Sequence, residues 1–342
     1  VTLGLVVGLD YQNPWMSPFE EMQRWKTHPS IQAHIAGGKR LRPLLLVATA
    51  QAQVPVPIIT SVEGPVKGIT RNPDGTLLLT VMGVPVILNA NTRIHSPTSF
   101  LTFNQLLNIN KLPGRIQRGF MNGTAIATGT QNSQGVMTAV NLSITTAENA
   151  VAGMITKNSG GLLEMNQMPV KFCTDARMPG RGAMNSFAIP IDLPSVIVGT
   201  TASLEGYYDD AGAFQSINLY LDTFAPPLSK APQVSFIVLR ATEQIGKGDT
   251  VEALGGVTFF HAGAANTQTI NLYRVDGKAV SLIGSGVATR DNVFTDYGLF
   301  KIKVTTAVSS DPILSKSPSI LRAVNISPGA AMATTEDLVD IR

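Results

Sequence analysis

Gly123-Thr124-Ala125-Ile126-Ala127-Thr128-Gly129-Thr130-Gln131-Asn132-Ser133-Gln134-Gly135-Val136-Met137-Thr138-Ala139-Val140-Asn141-Leu142 reads as one β-hairpin. Two runs rich in Thr, Ala and Val flank Asn132-Ser133-Gln134-Gly135, a set of residues suited to a tight turn. The same layout returns downstream: Gly199-Thr200 opens it, Asp209-Asp210-Ala211-Gly212 turns it, and Ile217-Asn218-Leu219 closes it. A supersecondary unit that occurs twice outranks any single motif in deciding a fold.

The repeat extends upstream of the hairpin. Val66-Lys67-Gly68-Ile69 corresponds to Val151-Ala152-Gly153-Met154, and Pro85-Val86 to Pro169-Val170. Asn72 and Gly75 precede Leu77-Leu78 as Asn158 and Gly160 precede Leu162-Leu163. Asn91-Thr92-Arg93-Ile94 aligns with Asp175-Ala176-Arg177-Met178. Each unit accommodates about five strands in roughly 80 residues, which suits a small closed barrel because closure removes exposed sheet edges. The spacing predicts two tandem barrels over residues 60–145 and 148–222. This pattern resembles a family of bacterial exported repeat domains of unknown function with an oligonucleotide-binding-like barrel. That resemblance implies a place outside the cytoplasm: extracellular, at the cell surface, or periplasmic.

Residues 223–232, with Pro226-Pro227 and Pro232, read as a linker. Beyond it, residues 234–242, 250–260, 269–275, 280–285, 299–304 and 319–325 read as short strands, with a hairpin turn at Asp276-Gly277. They predict an immunoglobulin-like β-sandwich over residues 233–328, without the Cys–Trp–Cys core of antibody domains. Residues 329–342 are expected to be a mobile tail in which Val339-Asp340-Ile341 adds a last edge pairing.

The first 38 residues are of another kind and contain both tryptophans, Trp15 and Trp25. Thr2 to Tyr11 is a short apolar run that reads as a buried strand. Ser17-Pro18-Phe19-Glu20-Glu21 has an N-cap, a proline at the first helical position and two early carboxylates, and so begins a helix. A strand and a helix of this size cannot bury enough surface to fold alone. Gly4-Leu5-Val6-Val7-Gly8-Leu9-Asp10-Tyr11-Gln12-Asn13-Pro14, Gln23-Arg24-Trp25-Lys26-Thr27-His28-Pro29 and Gly37-Gly38-Lys39-Arg40 resemble an internal fragment of the electron-transfer flavoprotein–ubiquinone oxidoreductase family. The resemblance implies FAD, a four-iron cluster and electron transfer to ubiquinone. The chain departs from that implication at both cofactors. No Gly-x-Gly-x-x-Gly turn leads into a helix near Gly4 and Gly8. Four thiolates are needed for the cluster, and Cys173 is the single cysteine.

Lys39, Arg40 and Arg42 precede Leu44-Leu45-Leu46-Val47-Ala48, and Ala50-Gln51-Ala52 follows. The order basic, apolar, small is that of a secretory signal over residues 39–53, with cleavage before Gln53 and residues 1–38 as an upstream remnant. The apolar run is too short to span a membrane as a helix.

Composition narrows the functions. Charged residues make up 14% of the chain and apolar residues 44%, with a net charge of +3. A nucleic-acid surface needs clustered basic and stacking residues, which the barrels lack, so nucleic-acid binding is disfavoured. Cys173 sits in the alternating Lys171-Phe172-Cys173-Thr174-Asp175 and reads as a small buried hydrophobe. His28, His34, His95 and His261 form no metal-ligand spacing. Asp209-Asp210 reads as turn chemistry. No catalytic, cofactor or metal residue is assigned. The sequence points to an exported, non-enzymatic repeat protein with a structural, adhesive or ligand-binding role, a protein or glycan partner, and room for self-association. The alternatives are the oxidoreductase-related fragment and polysaccharide or nucleic-acid binding by the barrels.

Overall fold

The computed structural model describes residues 58–341, apart from residues 148, 224, 244–247, 262 and 307–316. The strand and helix expected in residues 1–38 and the signal-like segment at 39–53 lie outside the described residues.

The first barrel contains β1 (Ile58–Arg71), β2 (Leu77–Val81), β3 (Val84–Leu88), β4 (Arg93–His95), the short helix α1 (Phe103–Leu107), β5 (Thr124–Gln131) and β6 (Met137–Thr145). Its strand order is β3-β2-β1-β5-β6, and a parallel pairing of β3 with β6 closes the ring, with β4 added outside β6. Alternation along β2 and β5 sends Leu77, Leu79, Val81, Ala125 and Ala127 into one core with Met137, Leu142 and Ile144. Thr102 begins α1 with a capping box: its hydroxyl accepts from the Gln105 backbone, and the Gln105 side chain accepts from the Thr102 backbone.

The second barrel repeats the plan with β7 (Asn149–Ser159), β8 (Leu162–Met165), β9 (Met168–Phe172), β10 (Ala183–Asn185), β11 (Thr201–Tyr208) and β12 (Phe214–Asp222). The ring β9-β8-β7-β11-β12 closes by parallel pairing of β12 with β9. Both expected hairpin turns are present. The Asn132 carboxamide oxygen accepts from the Gln134 and Val136 amides, and Asp209 Oδ1 accepts from those of Ala211 and Ala213. The barrels also share a β-bulge at Gly129 and at Gly206.

Strand register corrects the sequence alignment of the repeat in two places. Val66 pairs with Val81, and Ile155 pairs with Met165, so Val66 corresponds to Ile155 and not to Val151. The glycine that matches Gly153 is then Gly64, not Gly68. Both lie under the turn joining the next two strands: a Cβ on Gly64 would come within 2.1 Å of Met82, and one on Gly153 within 2.2 Å of Asn166. The shift arises because the turn after β1 is longer than the turn after β7. Likewise Ile94 pairs with Leu142 as Ala183 pairs with Leu219, so β4 corresponds to β10. Asp175-Ala176-Arg177-Met178 is instead an inserted turn, closed by the Met178 amide donating to the Asp175 carbonyl at 2.9 Å.

The third module comprises β13 (Val238–Thr242), β14 (Thr250–Thr258), β15 (Thr267–Asp276), β16 (Ala279–Arg290), β17 (Tyr297–Thr305), β18 (Ile320–Asn325), β19 (Thr334–Leu338) and β20 (Asp340–Ile341). They form one continuous sheet in the order β19-β18-β15-β16-β17-β14-β13-β20. β16 pairs with β15 from end to end but with β17 only at Ala288, Thr289 and Arg290. The sheet folds over there into two layers, enclosing Val251, Ala253, Ile270, Leu272, Phe300, Ile302, Leu321 and Ala323. The expected strands and the Asp276-Gly277 turn are in place. The terminal stretch is no loose tail. β19 pairs with β18, β20 pairs in parallel with β13, and the buried Val339 between them joins the core, so the chain end ties both layers together.

Candidate functional site

Three arginines, in a chain poor in charge, make the contacts between modules. Each follows the third strand of a barrel. Arg177 is the most enclosed, with its side chain 4% exposed. Its guanidinium donates twice to the Asp175 carboxylate at 2.8 Å and reaches into the first barrel's loop, donating to the Asn108 and Asn110 carbonyls at 3.0 Å. It also lies 5.7 Å from the centre of the Phe120 ring. These hydrogen bonds hold the Asp175 carboxyl below the usual carboxylate range. Beside this latch the Tyr207 hydroxyl donates to the Pro113 carbonyl at 2.9 Å, and the Ile116 amide donates to Asp210 at 2.6 Å.

Arg93 ties the first barrel to the sandwich. It donates to the Ser317 carbonyl at 2.9 Å, to Ser319 at 3.2 Å and to Glu243 at 3.2 Å. Arg181, next to the register partner of Arg93, ties the second barrel to the sandwich through a bidentate pair with Asp337 at 2.5 and 2.6 Å. A second joint between these modules is aromatic: Phe187 stacks on Tyr297 at 5.2 Å and meets Phe294 edge-on at 5.8 Å. The Ser235 hydroxyl donates to the Phe187 carbonyl at 2.6 Å. The Pro-rich linker is pinned as well, since the Asp192 amide donates to the Pro226 carbonyl and the Leu228 amide to the Pro190 carbonyl.

Burial pushes the Glu243 carboxyl up from its usual 4.5, against the pull of Arg93. A carboxyl raised by folding binds its proton more readily folded than unfolded. Its contribution therefore falls as pH rises from about 4.5 through its folded value. Glu243→Gln keeps an acceptor for Arg93 and removes the titration. Urea unfolding at pH 5 and pH 7 is expected to show the parent losing stability relative to the variant as pH rises. Parallel pH dependence in the two proteins would contradict this.

The Arg181–Asp337 pair lines a cleft of about 760 Å³ between all three modules, with His95 of the first barrel, Glu205, Asn218 and Tyr220 of the second, and Arg240 of the sandwich. Its two arginines are paired with carboxylates, while Glu205 and Asp340 also line it. Arg181 holds Asp337, Arg240 binds Glu252, and Glu205 accepts from Asn218 at 2.8 Å. Burial pushes the His95 imidazole below its ordinary value, so the ring is neutral at neutral pH. The Ser96 carbonyl beside Nδ1 at 3.1 Å can only accept, so Nδ1 carries the proton and Nε2 is left as an acceptor. Asn218 Oδ1 is a buried acceptor with no protein donor, and burial raises the Tyr220 hydroxyl to about 12, which keeps it a donor. The cleft therefore offers hydrogen-bonding groups around an aromatic ring.

His95, Asn218 and Asp340 show in the sequence as a lone histidine, a repeat position and an edge pairing, not as parts of one cleft, because their modules meet only in the folded chain. Arg177 and Arg181, flanking Pro179-Gly180, were the available signal. Among the described residues no group of three His, Cys, Asp or Glu is placed to hold a metal. Cys173 is buried, as its alternation predicts, and burial raises its thiol. His261 lies at a strand end with neither ring nitrogen bonded. No described helix is long and apolar enough to cross a membrane.

Comparison with known proteins touches the front of the chain. A family model described as ETF-QO, ubiquinone-binding, matches residues 1–43. Over 41 residues the chain is 71% identical to the human mitochondrial electron transfer flavoprotein-ubiquinone oxidoreductase, covering 12% of this chain and 7% of that protein. The Bos taurus protein of the same name is 40% identical over 112 residues, covering 32% of this chain and 17% of the relative. A probable electron transfer flavoprotein-ubiquinone oxidoreductase of Acinetobacter baylyi is 63% identical over 41 residues. The chain thus spans less than a fifth of the length of these relatives. The match to residue 43 takes in Lys39, Arg40 and Arg42, the basic part of the signal-like segment. The residues present do not fit an iron–sulfur cluster, because the one thiol is enclosed in a protein core beside Tyr207.

Proposed function

We propose that the β body is an exported, non-enzymatic binding protein whose three modules hold a single cleft for an uncharged, hydroxyl-bearing ligand such as a short glycan. The observation that carries this reading is the cleft itself, walled by three modules and lined with hydrogen-bonding groups around Tyr220. A ligand rich in hydroxyls satisfies such donors and acceptors, and its apolar ring face covers Tyr220.

Calorimetric titration with a panel of neutral oligosaccharides tests it. At least one neutral sugar is expected to bind, and Tyr220→Ala is expected to weaken it about tenfold, the loss of one well-placed aromatic contact. Binding of anionic sugars alone, or binding indifferent to Tyr220, would overturn the reading. Export is tested separately by sequencing the N-terminus of the protein from fractionated cells. A start near Gln53 outside the cytoplasm supports it, and a cytoplasmic chain retaining residues 1–38 opposes it.

The similarity at residues 1–43 favours one second reading, in which the retained front segment contributes a quinone-contacting piece. A visible spectrum showing bound flavin, together with quinone reduction, would support that reading over the first.

A further inference from the structure

Positive charge gathers in the first barrel. Residues 58–147 carry Lys67, Arg71, Arg93, Lys111, Arg115 and Arg118 against Glu63 and Asp74, while acids outnumber bases over residues 148–342. Arg93 is paired with Glu243. Lys67 and Arg71 donate to the neutral Asn122 and Asn104 side chains at 3.0 Å. Lys111 and Arg118 are exposed, and no carboxylate among the described residues pairs with either. These two are bridge partners at the base of the loop 111–118. Asn122, which holds Lys67, follows Arg118 by one turn, closed by the Met121 amide donating to the Arg118 carbonyl at 3.0 Å.

Two isoleucines frame this loop. Ile109 is 64% exposed and Ile116 67%. Both are fixed in place: the Asn108 and Asn110 carbonyls on either side of Ile109 accept from Arg177, and the Ile116 amide donates to Asp210. A Cβ on Gly119 would meet the Asn108 carbonyl oxygen at 2.5 Å, so the backbone of Ile109 runs next to that of Arg118. The nearby carboxylates have their own partners, Asp175 in Arg177 and Asp209 in Gln215.

A pinned loop that presents aliphatic side chains among cations complements an anionic bilayer. The aliphatic groups enter the acyl boundary while the cations stay with the headgroup phosphates. A nucleic-acid strand fits less well, because it needs aromatic stacking platforms and residues 108–119 contain no Phe, Tyr or Trp. An acidic polysaccharide would meet the cations but leave both isoleucines in water. The loop before the second barrel's hairpin, residues 186–198, exposes Ile197 and Val198 but carries Asp192 and no Lys or Arg, and so serves as a control.

We propose that residues 109–118, with Lys67, form a contact site for an anionic phospholipid surface. Flotation of the full chain with vesicles of phosphatidylcholine, alone or mixed with phosphatidylglycerol, tests it. Binding is expected to the mixed vesicles only, and to weaken as salt rises. Lys111→Gln and Arg118→Gln are each expected to weaken it about fivefold, the usual worth of one cation at such a surface. Ile109→Ser and Ile116→Ser are each expected to weaken it about tenfold through lost apolar burial. Ile197→Ser is expected to leave it unchanged, and all five variants to keep the parent's unfolding midpoint. A polarity-sensitive fluorophore on Ile116→Cys, with the native Cys173 buried, is expected to shift to the blue on mixed vesicles and not on heparin or an oligonucleotide. A chain that ignores mixed vesicles, a fluorophore that does not shift on them, or vesicle binding that survives the four loop substitutions would each overturn the proposal. So would binding to heparin or an oligonucleotide in place of vesicles.

Discussion

Arg177→Met is expected to cost about 3–5 kcal/mol, the usual penalty for removing one member of a buried ion pair. The substitution strands Asp175 in the joint and leaves the Asn108 and Asn110 carbonyls without their donor. For a chain of this size the loss corresponds to a fall in melting temperature on the order of 10 °C. The sign with pH is fixed by Asp175. Its carboxyl is held low in the folded protein, so the pair's contribution is present above the usual aspartate value near 3.8 and is lost as pH falls through the lower folded value. Thermal melts at neutral pH and near pH 3 check both parts. The gap between parent and variant should be wide at neutral pH and narrower in acid. A variant within about 1 kcal/mol of the parent at neutral pH would mean that Arg177 is an ordinary surface arginine.

Phe187→Ala is the second large expected effect, about 3–5 kcal/mol for emptying an aromatic site in a packed cluster. Phe187 is buried between Tyr297 and Phe294, with Ile189 in the same cluster. Its removal loosens the joint that keeps the second barrel against the sandwich. The linker at 223–232 is held by backbone bonds to residues 190 and 192, so it should loosen with the joint. Trypsin cleavage after the exposed Lys230 is expected to quicken in the variant well below its melting temperature. Unchanged cleavage with an unchanged melt would show that the aromatic cluster carries no part of the joint.

The sequence disclosed the elements far better than their relations. Asn132 to Gly135 and Asp209 to Gly212 declared their hairpins because a tight turn needs particular residues at particular places. The closed five-strand rings and the layered third module follow from such local signals. What the alignment misplaced were positions separated by turns of unequal length. Val66 was paired with Val151 because a one-dimensional comparison cannot see that the turn after β1 is longer. Arg93 aligns with Arg177 along the sequence because the turn inserted at residues 175–178 is invisible to such a comparison, although register puts Arg181 nearest its place. The terminal strand β19 is hidden by polarity, since Thr334-Thr335-Glu336-Asp337 has no apolar alternation, whereas the edge pairing expected at Val339-Asp340-Ile341 forms as β20. Their stability comes from pairing with β18 and β13 and from Val339, which are tertiary gains that local propensity does not register. The cleft was illegible for a related reason, because its walls lie far apart along the chain.

Everything functional in this account depends on the modules forming one fixed body and not three beads on a string. Distance measurement by electron spin resonance decides it most directly. Glu63, Lys171 and Lys303 are exposed, one on each module, and can be replaced in pairs by cysteine for spin labelling. The native Cys173 is buried with its thiol raised, which keeps it from competing for the label. Latched modules give a single narrow distance distribution for each of the three pairs. Broad or multiple distributions between barrel and barrel, or between barrel and sandwich, would contradict the fixed arrangement and leave the cleft without walls.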